Sequence, residues 1–176
     1  MHRILTAILV IIFVLGLITT GCQSKDDLNG SPSEAPQIGK PAPDFQLNNI
    51  EGKSVSLSDF HGKPVLINFW QIRCPDCRSE MPYIQQVYDE WSDKGLVILA
   101  INIGESSSEV SEFMKSYNLS FPVLLDRGGN VAQKYNIRGR IPVTFFIDED
   151  GIIKRMKIGA FISAAEIENS LSEIMP

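Results

Sequence analysis

Val65-Leu66-Ile67-Asn68-Phe69-Trp70-Gln71-Ile72-Arg73-Cys74-Pro75-Asp76-Cys77 is the stretch on which the reading of this chain turns. Its first six residues are apolar except Asn68, the pattern of a strand buried on both faces. Met81, Ile84, Tyr88 and Trp91 then recur at helical spacing, and Gly95 closes that element. A second apolar run, Leu96 to Ile103, completes a β-α-β unit, which joins parallel strands by a right-handed crossover. The Cys74/Cys77 pair therefore falls at a strand-to-helix junction.

Outward from this unit the periodicities keep alternating. Phe45/Leu47 and Val55/Leu57 flank an Asn48-Asn49…Glu51-Gly52 turn, which predicts an N-terminal β-hairpin. Ser106 and Glu109 have capping-box spacing ahead of Val110, Phe113, Met114 and Tyr117. Phe121–Leu125 reads as a short strand and Val131–Tyr135 as a brief helix beyond the Asp126-Arg127-Gly128-Gly129 turn. Val143–Ile147 and Ile152–Ile158 surround Asp148-Glu149-Asp150-Gly151, a hairpin signal. Ser163 and Glu166 then cap a last helix carrying Ile167, Leu171 and Ile174. This order predicts an α/β domain with a central mixed β-sheet, helices on both faces and an added N-terminal hairpin.

The N-terminus differs in kind. His2-Arg3 precede an apolar run from Ile4 to Ile18, interrupted by Thr6 and Gly16, and Thr19-Thr20-Gly21-Cys22 close it with small residues. The run is short for a comfortable membrane span and suits a signal-peptide core. Residues 1–22 are read as a signal peptide or an uncleaved signal anchor, and residues 23–38 as a flexible linker with almost nothing to bury. Residues 39–176 form the globular domain. Gly21-Cys22 resembles the lipobox of bacterial lipoproteins, which makes Cys22 the expected lipid attachment site; Thr19 departs from the Leu favoured there. Lipid anchor and signal anchor both place the domain on the extracytoplasmic face of the cell membrane.

The chain has 176 residues, 44% of them hydrophobic and 21% charged, with a net charge of −5. No run of Lys or Arg supplies the concentrated positive face that nucleic acid requires. The two histidines, His2 and His61, leave little for a histidine-rich metal centre. His61, between Phe60 and Gly62, reads as a solvated loop residue. Cys74, at a helix N-terminus, would have free amides and the helix dipole favouring a thiolate, with Cys77 one turn further on. Pro75 suits the first helical position, having no amide to leave unpaired. Zinc would need two further ligands, and a purely structural disulfide across so short a loop constrains the unfolded chain very little. Redox chemistry is the primary reading, with metal binding and an inert pair as alternatives; no cofactor or metal is expected.

From about Ile38 to the C-terminus the chain resembles the ResA/TlpA group of thioredoxin-like proteins, within the AhpC/TSA–redoxin superfamily. The resemblance is carried by Gly39-Lys40-Pro41-Ala42-Pro43-Asp44-Phe45 and Gly62-Lys63-Pro64-Val65-Leu66-Ile67-Asn68-Phe69-Trp70. It continues in the C-x-x-C followed by Glu80-Met81-Pro82, and in Arg140-Ile141-Pro142-Val143-Thr144-Phe145. It implies a thioredoxin-like fold with Cys74 as attacking and Cys77 as resolving cysteine, and Pro142 as a cis-proline facing them. It implies further that Glu80 serves proton transfer at the cysteines; the plain alternative is a glutamate that merely complements the helix dipole. Asn68 stands where thioredoxins carry a buried acid. Ile141 is expected as an apolar wall for substrate, and Trp70, with Phe69 and Phe145, as packing first and a floor to the site second. Pro82 is expected to kink the helix.

The resemblance also implies an extracytoplasmic thiol–disulfide oxidoreductase acting on disulfide-containing proteins and supplied by a membrane thiol-electron donor of CcdA/DsbD type. Its clients in this group include apocytochrome c and envelope proteins of spore formation. Gln71-Ile72-Arg73 and the Pro75-Asp76 spacer depart from the group's common residues, so the redox-tuning positions are Arg73, Pro75 and Asp76. Arg73 lowers and Asp76 raises a nearby thiol pKa, unless both are simply solvated charges. A peroxiredoxin-type thiol peroxidase is one alternative, but Ile67 and Gln71 occupy the places its P-x-x-x-[ST]-x-x-C pocket requires. A copper-handling lipoprotein is another; copper chaperones of this kind use C-x-x-x-C with a distant histidine, and no histidine follows His61.

Overall fold

The computed structural model describes residues 35–175. The expected targeting segment, Cys22 and the linker up to residue 34 lie outside the described residues. The strands are β1 (Gln46–Asn49), β2 (Ser54–Ser56), β3 (Val65–Trp70), β4 (Val97–Ile103), β5 (Val123–Asp126), β6 (Val143–Ile147) and β7 (Ile153–Ile158). They form one sheet in the order β2-β1-β5-β4-β3-β6-β7. β3, β4 and β5 run parallel, and the hairpins β1–β2 and β6–β7 add antiparallel pairings on either side. The helices are α1 (Pro75–Trp91), α2 (Ser107–Ser116), α3 (Asn130–Lys134) and α4 (Ala164–Leu171).

β3 sits between β4 and β6 with all six residues buried. Because strand side chains alternate in direction, Leu66 and Trp70 join one core cluster while Val65, Ile67 and Phe69 join the other. α1, α2 and α4 cover the Leu66/Trp70 face through Met81, Ile84, Phe113 and Ile167. The short α3 and a 3₁₀ turn at Leu57–Phe60 cover the opposite face, where Tyr135 meets Phe69 and Phe145 edge-on or tilted. Helices do lie on both faces, but unequally.

Local signals account for most boundaries. α1 runs through Pro82 to Trp91 and passes into a 3₁₀ turn that ends at Gly95, whose φ of 99° is the left-handed region a helix stop needs. Ser106 and Glu109 form the reciprocal capping box of α2, with the Ser106 N–H donating to the Glu109 carboxylate at 2.9 Å. At α4 only half of that device is present: Ser163 Oγ accepts from Glu166 N–H, while the Glu166 carboxylate accepts from Ile162 N–H instead. β5 begins at Val123 rather than Phe121, because Pro122 has no N–H; its carbonyl accepts from Ala100 N–H, and Phe121 is buried in the core ahead of the strand. The incoming chain is fastened to the sheet and to the segment after α3: Gly39 N–H donates to Ile153 O at 2.7 Å, and Pro43 O accepts from the buried Tyr135 hydroxyl.

Two substitutions separate packing from this tie. Ile84→Ala empties a fully buried site and is expected to cost about 3 kcal/mol of unfolding free energy. Tyr135→Phe removes one neutral hydrogen bond and is expected to cost about 1 kcal/mol. Urea denaturation of the oxidised protein, with unchanged m-values, is the measurement.

Candidate active site

Cys74 is the N-cap of α1, so its backbone is still extended while the next residue is helical. Its sulfur accepts from the Cys77 N–H at 3.1 Å, taking one of the amide protons that the first helical turn leaves free. Pro75 holds the first helical position, where the missing amide is no loss. One turn of helix brings Cys77 back over Cys74, and the two form a disulfide with Cα atoms 5.2 Å apart. The pair is asymmetric: Cys77 is fully buried, whereas Cys74 is partly open to solvent.

The Ile141–Pro142 peptide is cis. Ile141 O lies 3.7 Å from the Cys74 sulfur. In the disulfide that sulfur carries no proton and this is a contact; in the dithiol form the Cys74 S–H has the oxygen within reach. Pro142 O in turn accepts from Gly159 N–H at 2.8 Å, so the chain before α4 is fastened to the cis-proline segment. Beside Cys74 opens a cleft of about 640 Å³, lined among others by Gln71, Arg73, Ile103, Arg138 and Ile141.

Glu80 lies on α1, one turn beyond Cys77, and is fully buried. It is not a solvated helix-end charge. Its carboxylate accepts from Asn68 Nδ2 at 2.8 Å and from Phe161 N–H at 3.0 Å, and Asn68 Nδ2 also donates to Thr144 Oγ1. Burial pushes the Glu80 pKa up to about 7; the Phe161 and Asn68 donors oppose that rise without cancelling it. The sheet explains the contact: Asn68 shares the Leu66/Trp70 side of β3, the side on which α1 packs. The sequence places Asn68 at this position, but its partner emerges only from the packing.

The loop between β3 and α1 is held from the other direction. Both Glu105 carboxylate oxygens accept from Ile72 N–H, at 2.9 and 3.1 Å, and Asn102 Nδ2 donates to the same carboxylate at 2.6 Å. Gln71 Nε2 donates to Ile103 O. These ties between the ends of β3 and β4 escaped sequence reasoning; the available signal was two polar residues, Asn102 and Glu105, at the close of an apolar strand.

Of the other singled-out residues, Arg73 and Asp76 are exposed at the rim, and His61 is exposed away from the cysteines. Trp70 requires a correction. It has no exposed surface and packs against Phe113 with ring centroids 5.2 Å apart, so it offers nothing for a substrate to touch and belongs to the core beneath the site. Among the described residues no group of three or more His, Cys, Asp or Glu side chains is arranged to hold a metal ion.

Residues 38–156 match the profile of the AhpC/TSA family. The thiol-disulfide oxidoreductase ResA of Bacillus cereus is 38% identical over 147 residues, 83% of this chain and 83% of that relative. ResA of Geobacillus kaustophilus is 39% identical over 139 residues, 79% of each chain. Among solved structures, a thiol:disulfide interchange protein of the thioredoxin family from Chlorobium tepidum superposes with a TM-score of 0.70 at 28% identity, covering 81% of this chain and all of that one. StoA of Bacillus subtilis does so with a TM-score of 0.63 at 29% identity, covering 74% and 97%. With its Cys74–Cys77 disulfide set at a strand-to-helix junction opposite a cis-proline, the chain belongs to the AhpC/TSA family and, within it, to the ResA-type thiol-disulfide oxidoreductases.

Proposed function

We propose that this oxidoreductase works as a reductant of protein disulfides, tethered to the extracytoplasmic face of the cell membrane by its N-terminus. The observation that carries the thiol–disulfide exchange reading is the asymmetry of the pair: an accessible sulfur at a helix N-terminus, beside an open cleft, backed by a buried partner and a buried carboxylate. The reducing direction is supported by the kinship with the ResA proteins. In the dithiol form the Cys74 thiolate attacks one sulfur of the client disulfide, and the displaced sulfur leaves as a thiolate. Cys77, once deprotonated, attacks the Cys74 sulfur of the mixed disulfide. The second client thiol is released, the Cys74–Cys77 disulfide forms, and two electrons have passed to the client. A membrane dithiol donor of CcdA/DsbD type returns the pair to the reduced form.

In this reading Glu80, one helical turn beyond Cys77 and buried like it, takes and returns protons as Cys77 changes state. Its pKa near 7 allows both forms at neutral pH. Asn68 suits both: as placed, its amide N–H₂ donates to the carboxylate, and turned over, its oxygen accepts from the carboxylic acid. Support for the anchor is the sequence of residues 1–22 with Cys22. Support for the clients is the kinship with ResA: apocytochrome c, whose cysteines must be reduced before haem attachment, and envelope proteins of the spore.

Limiting alkylation of the dithiol protein, mapped by mass spectrometry, is expected to label Cys74 first; preferential labelling of Cys77 would reverse the roles. Cys77→Ala should accumulate a mixed disulfide with client that Cys74→Ala does not form. The reduction potential, read by equilibration with dithiothreitol buffers, is expected nearer thioredoxin, about −270 mV, than DsbA, about −120 mV; a value above about −180 mV would make the protein a disulfide donor or isomerase.

Glu80 also makes a stability prediction. Its folded pKa is raised above the unfolded value of 4.5, so the folded state holds the extra proton and stability falls as pH rises from about 4.5 to about 7, then levels. The loss is expected to be roughly 3 kcal/mol, and Glu80→Gln should flatten that limb of the curve. Denaturant titrations of the oxidised protein at pH 5 and 8 measure it.

A further inference from the structure

The cleft beside Cys74 departs from the charge of the whole chain. The protein carries 21 Asp and Glu against 16 Lys and Arg, yet the lining of this cleft contains Arg73 and Arg138 and not one carboxylate. Ion pairs among the described residues are Lys94–Glu90, Lys154–Asp148, Arg155–Glu173 and Lys157–Glu166, so neither cleft arginine is neutralised by a close partner. On its other side Arg73 borders a second pocket with Glu105, Glu109 and Glu112. The Ser106 hydrogen bonds, helped by the Arg73 charge, hold the Glu109 carboxyl below its usual pKa. Arg138, whose cleft and neighbouring pocket contain no carboxylate, is therefore the less opposed cation of the two. Glu105 holds Ile72 N–H and Asn102, and Glu109 holds Ser106. Asp76 is exposed in the first turn of α1 and is not part of the cleft wall.

Arg138 is also oriented. Its Nε–H donates to Asn136 Oδ1 at 2.6 Å, and Asn136 sits at a φ of 57°, in the left-handed turn that follows α3. That bond uses one of five guanidinium protons and leaves the outer N–H groups free for a carboxylate. The remaining wall, with Ile103, Ile137 and Ile141, is apolar, and Gln133 adds an amide. An extended polypeptide that brings a disulfide to Cys74 would lie along this wall, with its neighbouring residues opposite Arg138 and Arg73.

From this geometry we infer that the protein selects client polypeptides whose reactive disulfide is flanked by acidic residues, with Arg138 as the specificity-determining residue and Arg73 supporting it. The inference rests on the reading of the protein as a disulfide reductant. It assigns what that reading leaves open, namely the chemistry of the client beside its cysteines. Opposite charges steer the encounter as well as holding the complex, so the preference appears in the second-order rate and weakens with salt.

The test uses the full-length chain in detergent, reduced with dithiothreitol and freed of it. Its substrates are three synthetic peptides, each closed by one internal disulfide and identical except for four flanking residues, all Glu, all Gln or all Lys. At low ionic strength the Glu peptide is expected to be reduced about 10-fold faster than the Lys peptide, with the Gln peptide between them. The ratio should shrink toward unity at about 1 M salt. Arg138→Gln should lower the Glu-to-Lys ratio several-fold and Arg138→Glu should invert it, while Arg155→Gln, a charge change on β7, should leave it unaltered. Equal rates for the three peptides, or faster reduction of the Lys peptide, would overturn the inference while leaving the reductant reading standing. Failure to reduce any of them would overturn both. An Arg155→Gln effect equal to that of Arg138→Gln would assign the preference to net charge and overturn the role of the cleft.

Discussion

A carboxylate enclosed in a protein core must find hydrogen-bond donors or remain protonated. Glu80 meets that constraint with two donors from different parts of the chain, Asn68 on β3 and the Phe161 amide ahead of α4. The consequence is a fixed assembly. α1 is held to the central strand, the segment leading to α4 is held to α1, and the same segment is held to the cis-proline through Gly159. The cysteines ride on the first turn of the helix so anchored. Their setting is therefore determined by residues that never touch a sulfur.

A division of labour follows. Backbone groups act on the sulfurs directly: the Cys77 amide donates to Cys74, and the Ile141 carbonyl lies beside it. Side chains work one layer out, with Glu80 and Asn68 below the helix and Glu105 above the loop. Arg73 and Arg138 line the cleft. Charge that would act on client recognition is thus separated from the buried acid that would act on proton transfer.

How far the sequence revealed this depends on the range of the interaction. The run from Val65 to Trp70 and the spacing of Met81, Ile84 and Trp91 disclosed β3 and α1 because alternation and helical period are local properties. The capping serines and Gly95 were legible for the same reason. Asn68 was visible as a polar residue in an apolar strand, but Glu80 is twelve positions away and their pairing depends on how α1 lies across the sheet. The Phe161 donor is a backbone amide, which every residue except proline possesses, so no side-chain pattern announces it. Trp70 was misjudged as a possible contact for substrate: a large aromatic next to a motif looks the same in sequence whether it ends in the core or at the surface. Ile141 and Pro142 were legible only through kinship with a family whose motif they share.

The two outer strands of the sheet carry a further consequence. β2 is only three residues long, and β7 intersperses its exposed Met156 and Ile158 with the exposed Lys154 and Arg155 and the half-buried Lys157. Short or cationic margins are poor templates for another chain's unpaired strand. In the proposed role, reducing the cysteines of client polypeptides before they are settled, the protein would meet extended, incompletely folded chains. With such margins it can take hold of their sulfurs without its own sheet becoming a seed on which they aggregate.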